Sequence, residues 1–147
     1  LAAAGLRRLG WGERIAALLE PPQMLPAPGQ GSLGIECRAD DEEVLVLVGQ
    51  LDHWPTRLGV TAERAVLAAL HGGCSAPIAA WGRLDGDQLA VDGLVADVEG
   101  RTVLRAGESA ENQNSLTIAE QLGKRVANEL LKQDAAELIE TARGGTR

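Results

Sequence analysis

The sequence predicts an α+β fold, a three-stranded antiparallel sheet covered by helices, and three observations carry that expectation. Strand-like runs at 78–84, 88–96 and 102–106 follow one another across the turn signals Asp85-Gly86-Asp87 and Glu99-Gly100, which is the pattern of a meander. Amphipathic helices flank them, one over 56–70 and one over 115–132, with apolar residues recurring on a single face. The 147 residues are 45% hydrophobic but contain no Tyr or Phe and only three Trp. A core is therefore available, and it must be built from Leu, Val, Ile and Ala.

Taken in order, Leu1 to Leu9 is rich in Ala and Leu and favours helix until Gly10. Ile15, Leu18 and Leu19 give an i, i+3, i+4 stripe for a second short helix. Pro21, Pro22, Pro26 and Pro28 fall within eight positions, so Pro21 to Gly31 is an extended connection. It ends in Gly29-Gln30-Gly31, where the backbone is free to bend tightly or approach a ligand. Ser32 to Arg38 alternates as a strand, with Leu33, Ile35 and Cys37 on one face. Asp40 and Asp41 cap a following helix in which Val44, Leu47, Val48 and Leu51 share a face.

Asp52-His53-Trp54-Pro55 breaks the pattern and marks a domain boundary. In the next helix Leu58, Ala62, Ala65, Val66, Ala69 and Leu70 form the apolar face, and Gly72 is a natural left-handed stop. After the meander, Ile118, Leu122, Val126 and Leu130 stack at i+4 spacing, with Glu120 and Lys124 able to pair on the outer side. The final helix starts at Asp134, with Glu137 placed as a capping-box partner, and ends by Gly144.

Bulk properties narrow the function. A net charge of −7 argues against nucleic acid as a partner. No apolar run approaches the ~20 residues that span a bilayer, and no signal peptide is visible. Cys37 and Cys74 make neither a metal site nor a disulfide framework, so reduced cytoplasmic thiols are expected. The chain begins with Leu inside helix-like sequence, and it is read as part of a longer protein.

Cys74 is the candidate for chemistry; on composition alone it reads more readily as a small buried hydrophobe, and its glycine and proline neighbours weigh against that. It follows the 56–70 helix across His71-Gly72-Gly73 and precedes Pro77, an arrangement that presents a thiol on a loop. A thiol just past a helix C-terminus feels the negative end of the dipole, which disfavours the thiolate. That suits a covalent anchor better than a turnover nucleophile. His71 could serve as a base to the same sulfur. Cys37, alternating with charged residues, is structural, and Glu63 and Arg64 read as helix-surface or interdomain pairs.

Five segments in order then resemble one family: Leu1-Ala2-Ala3-Ala4-Gly5-Leu6-Arg7-Arg8-Leu9-Gly10, Leu25-Pro26-Ala27-Pro28-Gly29-Gln30-Gly31, Ile35-Glu36-Cys37-Arg38 with Asp40-Asp41, Thr61-Ala62-Glu63-Arg64-Ala65, and Gly72-Gly73-Cys74 with Pro77-Ile78. Together they are similar to the C-terminal portion of the porphobilinogen deaminases (hydroxymethylbilane synthases). Ala76 and His71 depart from the commoner β-branched and acidic residues, and neither removes a reacting atom.

The resemblance implies that 1–25 closes a second α/β domain and that 26–52 crosses back to a first one. Residues 53–147 would then form the C-terminal, cofactor-carrying α+β domain. It implies a dipyrromethane cofactor joined to Cys74 by a thioether, with Arg8, Gln30, Gly31 and Gly73 around it. Arg8 and Arg7 would bind the substrate's carboxylates. It implies an enzyme, monomeric when full length and cytoplasmic, that condenses four porphobilinogen molecules and releases hydroxymethylbilane for heme biosynthesis. The family's catalytic Asp lies ahead of this sequence, so no catalytic residue and no metal ligand is assigned here. A non-catalytic α+β binding module that keeps the motif, and a thiol enzyme using Cys74 with His71, are the competing expectations. The first 50 or so residues are expected to expose an apolar face.

Overall fold

The computed structural model describes residues 1–71, 76–111 and 113–144. Its elements are α1 (Ala3–Arg8), a single 3-10 turn (Gly12–Arg14), α2 (Glu42–Gly49), α3 (Trp54–Ala69), β1 (Ile78–Asp85), β2 (Gln88–Ala96), β3 (Val103–Glu111), α4 (Leu116–Leu131) and α5 (Ala135–Gly144). The sheet has order β1-β2-β3 and is antiparallel throughout. The meander and the α+β class read from the sequence are present.

One face of the sheet is the core. Leu89, Val91 and Val95 of β2 and Ile78 and Ala80 of β1 lie buried against Leu58, Ala62 and Val66 of α3 and Leu122, Val126 and Leu130 of α4. The helices reach the sheet closely because glycines stand where backbones meet. A Cβ built on Gly59 of α3 would lie 2.5 Å from the carbonyl oxygen of Gly82 on β1. α3 and α4 meet at Gly123, whose added Cβ would lie 2.8 Å from the Ala65 Cβ.

Local chemistry explains most boundaries. Asp41 Oδ1 accepts from the Val44 N–H at 3.2 Å and starts α2, as its place in the sequence suggested. Ser115 Oγ does the same for α4 from the Ile118 N–H. Lys124 and Glu120 pair at 2.6 Å. α3 begins two residues before the expected 56, because Pro55 sits at its first turn, where the missing N–H costs nothing. The left-handed exit from α3 falls at His71 (φ 51), while the expected stop at Gly72 lies outside the described residues. β3 runs on to Glu111, past the expected 106, since Gly107, Glu108 and Ser109 extend the alternation of an edge strand. Asp134 has φ 67, a left-handed and not an extended cap geometry, at the entry to α5.

Two expected elements are not formed. Residues 15–20 are irregular; the stripe Ile15, Leu18, Leu19 is one turn long and runs into Pro21, and so short a helix is marginal on its own. Residues 32–38 are also irregular. A strand needs a hydrogen-bonded neighbour, and none of the described residues supplies one; Leu33 is 97% exposed and Ile35 55%. Cys37, half-buried, therefore lies on a loop and not on a strand.

The core is confined to the α+β unit. Of the buried apolar side chains only Leu25 precedes Leu58, whereas Leu1, Leu9, Trp11, Leu19, Met24 and Leu51 are exposed. The expected apolar surface over the first 50 residues is present.

Candidate functional site

The proline-rich connection runs beside β1 and binds it through its backbone. The Ala80 N–H donates to the Pro26 carbonyl at 3.0 Å. Three residues later the chain turns at Gly29, whose φ of +73 is one that a side chain strains. Backbone bonds from Gln30 to Ala27 and from Ser32 to Gly29, at 3.0 and 3.1 Å, close the turn. Gln30 folds back on it, its Oε1 accepting from the Ala27 N–H at 3.0 Å.

Glu63 fixes this turn to the α+β unit. One carboxylate oxygen accepts from the Gly29 N–H at 2.7 Å and the other from the Gly82 N–H of β1 at 2.8 Å. Glu63 is 6% exposed, so its assignment to a helix surface is corrected. The periodicity of α3 could have pointed to this: Glu63 lies four residues after Gly59, on the face that meets β1. Arg64, by contrast, is exposed as expected.

Burial raises the pKa of Glu63 above its ordinary value, and the Gly82 and Gly29 N–H groups lower it by less. A raised folded-state pKa means that folding favours the protonated form. The stability Glu63 contributes through ionisation is therefore fullest below its unfolded pKa, about 4.3, and is lost as pH rises through the folded value. The stability of the wild-type chain relative to Glu63→Gln should accordingly fall as pH rises above about 4. Urea midpoints of the two proteins on either side of that pH measure the difference.

Between the connection, α1, α3 and β1 lies an open groove of about 1150 Å³. Leu6 and Arg7 of α1, Arg14, Gln30, Gly31 and Trp81 contribute to its walls. The sequence-expected residues Arg7, Gln30 and Gly31 are thus brought together. Arg8 is exposed on α1 and is not among the groove's lining residues. Cys74 and Gly73 lie outside the described residues. His71, just before them, has its carbonyl held by the Arg143 guanidinium of α5.

Arg14 is a groove cation that sequence reasoning missed. Its guanidinium lies 5.0 Å from the Trp11 ring centroid, and the spacing of Trp11 and Arg14 was the available signal. Trp81 also lines the groove and carries the Arg83 guanidinium 4.1 Å from its centroid, with Arg83 also paired to Asp92 at 2.5 Å. Among the described residues no cluster of three or more His, Cys, Asp or Glu could hold a metal ion, and no helix is long and apolar enough to cross a membrane.

An α+β unit with a cation-bearing groove at its edge and a cysteine following α3 is the arrangement to set against known proteins. Residues 57–132 match the family model described as porphobilinogen deaminase, C-terminal domain, and residues 1–46 match the one described as porphobilinogen deaminase, dipyromethane cofactor binding domain. Porphobilinogen deaminases of Coxiella burnetii strains Dugway 5J108-111 and CbuK_Q154 are each 44% identical over 139 residues. That is 95% of this chain and 44% of each relative, so the chain spans less than half the length of these curated relatives. The chain belongs to the porphobilinogen deaminase family.

The cofactor that goes with this membership is a dipyrromethane. The cationic lining fits it: the acetate and propionate groups of such a pyrrole pair are anionic, and the groove offers the guanidinium groups of Arg7 and Arg14, beside apolar side chains and the carboxyl groups of Glu20 and Glu63.

Proposed function

We propose that this chain is the C-terminal part of a hydroxymethylbilane synthase, a transferase of heme and other tetrapyrrole biosynthesis. The enzyme condenses four porphobilinogen molecules on a dipyrromethane joined to Cys74 by a thioether, and releases hydroxymethylbilane. The observation that carries this is Cys74 in the run Gly72-Gly73-Cys74, directly after an α3 that packs into the matched domain.

When bound, the dipyrromethane supplies the free pyrrole carbon from which the product grows. The chain's own residues hold and orient it. Arg7 and Arg14 pair with its carboxylates from the groove wall, and Gln30 and Gly31 place the turn against it. Gly73, next to Cys74 in sequence, is proposed as a further cofactor neighbour on its motif position. Arg8 is proposed as a further carboxylate partner on its motif position, for cofactor and substrate alike, with Arg7 serving the substrate too. A sulfur that must stay reduced until it is alkylated suits the cytoplasm, where we place the enzyme. Full length, it is proposed to act as a monomer, with two α/β domains completing the cleft and bringing the catalytic Asp.

The test is the intact mass of protein expressed from the full open reading frame. A mass increased by one covalent dipyrrole, mapped to the Cys74 peptide, is expected. An active preparation with an unmodified Cys74 would reject the function.

The 147 residues alone are expected to form no tetrapyrrole, because the remainder of the cleft is supplied by sequence beyond them. Exposed Leu1, Leu9, Trp11 and Leu19 should also make the isolated chain self-associate at tens of micromolar. Light scattering checks this, and a clean monomer would contradict it.

A further inference from the structure

Glu63 is the buried charged side chain of the described residues, and packing alone does not account for its chemistry. Two N–H donors from separate parts of the chain converge on it, one from the Gly29 turn and one from the outward side of β1. Neither bond belongs to a helix or to the sheet ladder. A carboxylate provides two acceptor oxygens for two donors. A carboxamide of the same shape provides one acceptor and opposes the second donor with its own N–H.

The other ties across this junction are few. Ala80 to Pro26 is a direct backbone bond, the Arg105 guanidinium donates to the Pro22 carbonyl at 3.3 Å, Leu25 is buried, and Val60 of α3 packs near Gly29. Gln30 and Gly31 of the turn line the groove together with Glu63 itself. α3, which carries Glu63, leads in sequence into the segment of Cys74. One side chain therefore couples the turn that borders the groove to the helix and strand that frame the cofactor-bearing cysteine.

We propose that Glu63 is a positioning residue for the enzyme's reaction: it clamps the Gly29–Gly31 turn to α3 and β1, and so fixes the turn's place in the wall of the groove. The proposal rests on the functional reading above. Glu63 acts through the backbone of Gly29, whose N–H it accepts.

Amide hydrogen exchange and steady-state kinetics on the full-length enzyme test it, with Glu63→Gln as the variant. In the wild type the Gly29 and Gly82 amides should exchange far more slowly than exposed loop amides. In Glu63→Gln, exchange at Gly29 should quicken at least tenfold while α4 amides keep their rates. kcat should fall by about ten- to a hundredfold, toward the loss that a 1 Å misplacement causes, with the dipyrrole mass on the protein unchanged. Equal loosening of α4 and Gly29 would mean a general core role and would overturn the proposal, as would unchanged kcat with a freed Gly29. Should Glu63→Gln not fold, the wild-type rates decide: an unprotected Gly29 overturns the clamp. A wild-type enzyme that makes hydroxymethylbilane without a dipyrrole mass defeats the functional reading instead, and leaves the exchange at Gly29 to report on the clamp separately.

Discussion

Cys74→Ala in the full-length enzyme is expected to remove the covalent dipyrrole and to lower hydroxymethylbilane synthesis by a factor on the order of 10³ or more. The reason is elementary. On the proposed function one sulfur forms the single bond between the growing chain and the protein, and alanine has no atom that can form it. Without the tether, intermediates must be rebound from solution, and the advantage of holding reactants together is lost. Cys37→Ala is the control. Cys37 is half-buried on the 32–38 loop, and its loss should leave both the attached mass and the turnover near wild type. Intact-mass spectra and a rate assay on the two variants decide the matter. Retained dipyrrole in Cys74→Ala, or its loss in Cys37→Ala, would move the anchor elsewhere.

Gly59→Ala is expected to destabilise the chain by about 3 kcal/mol or more, at the upper end of overpacking costs. Its Cβ would lie 2.5 Å from the Gly82 carbonyl oxygen and 3.0 Å from the Gly82 carbonyl carbon, and backbone atoms have no rotamer by which to withdraw. α3 and β1 would have to separate. Leu58, Ala62 and Ala80, all fully buried at the contact, would lose their packing with them. The expected fall in Tm is roughly 6–12 °C. Gly5→Ala provides the comparison: nothing lies within 4 Å of its added Cβ on α1, and alanine is the better helix former there, so that change should be neutral or slightly stabilising. The melt of Gly59→Ala should therefore fall while that of Gly5→Ala stays level or rises slightly, and similar melts would show that the α3–β1 approach is looser than described.

The elements that the sequence made legible are those whose burial partners lie within the chain. α3 and α4 show their faces as periodic Leu, Val and Ala because the sheet they cover follows close in sequence. The meander was legible because its turns are two to a few residues long, and turn chemistry is local. Ile15, Leu18 and Leu19, and Leu33 with Ile35, carry equally regular patterns, yet they form no helix or strand. An apolar pattern states that a surface is to be covered, and it does not state by what.

The site divides in the same way. Arg7, Gln30 and Gly31 were found through motifs, and they share the groove. Glu63 was misread because a carboxylate on a helix is ordinarily solvated. Its burial depends on two N–H groups 34 and 19 residues away, a coincidence no local pattern expresses.

The border of the sheet at β1 has a consequence for solubility. An uncovered edge strand is a template on which another molecule can add a strand. Here the outward amides of Ala80 and Gly82 are capped by a prolyl carbonyl and a carboxylate. Neither is the start of a ladder: Pro26 has no N–H to return, and a side chain has no next residue in register. Addition of a further strand is hindered at these two positions of β1, and the border open to it is that of β3.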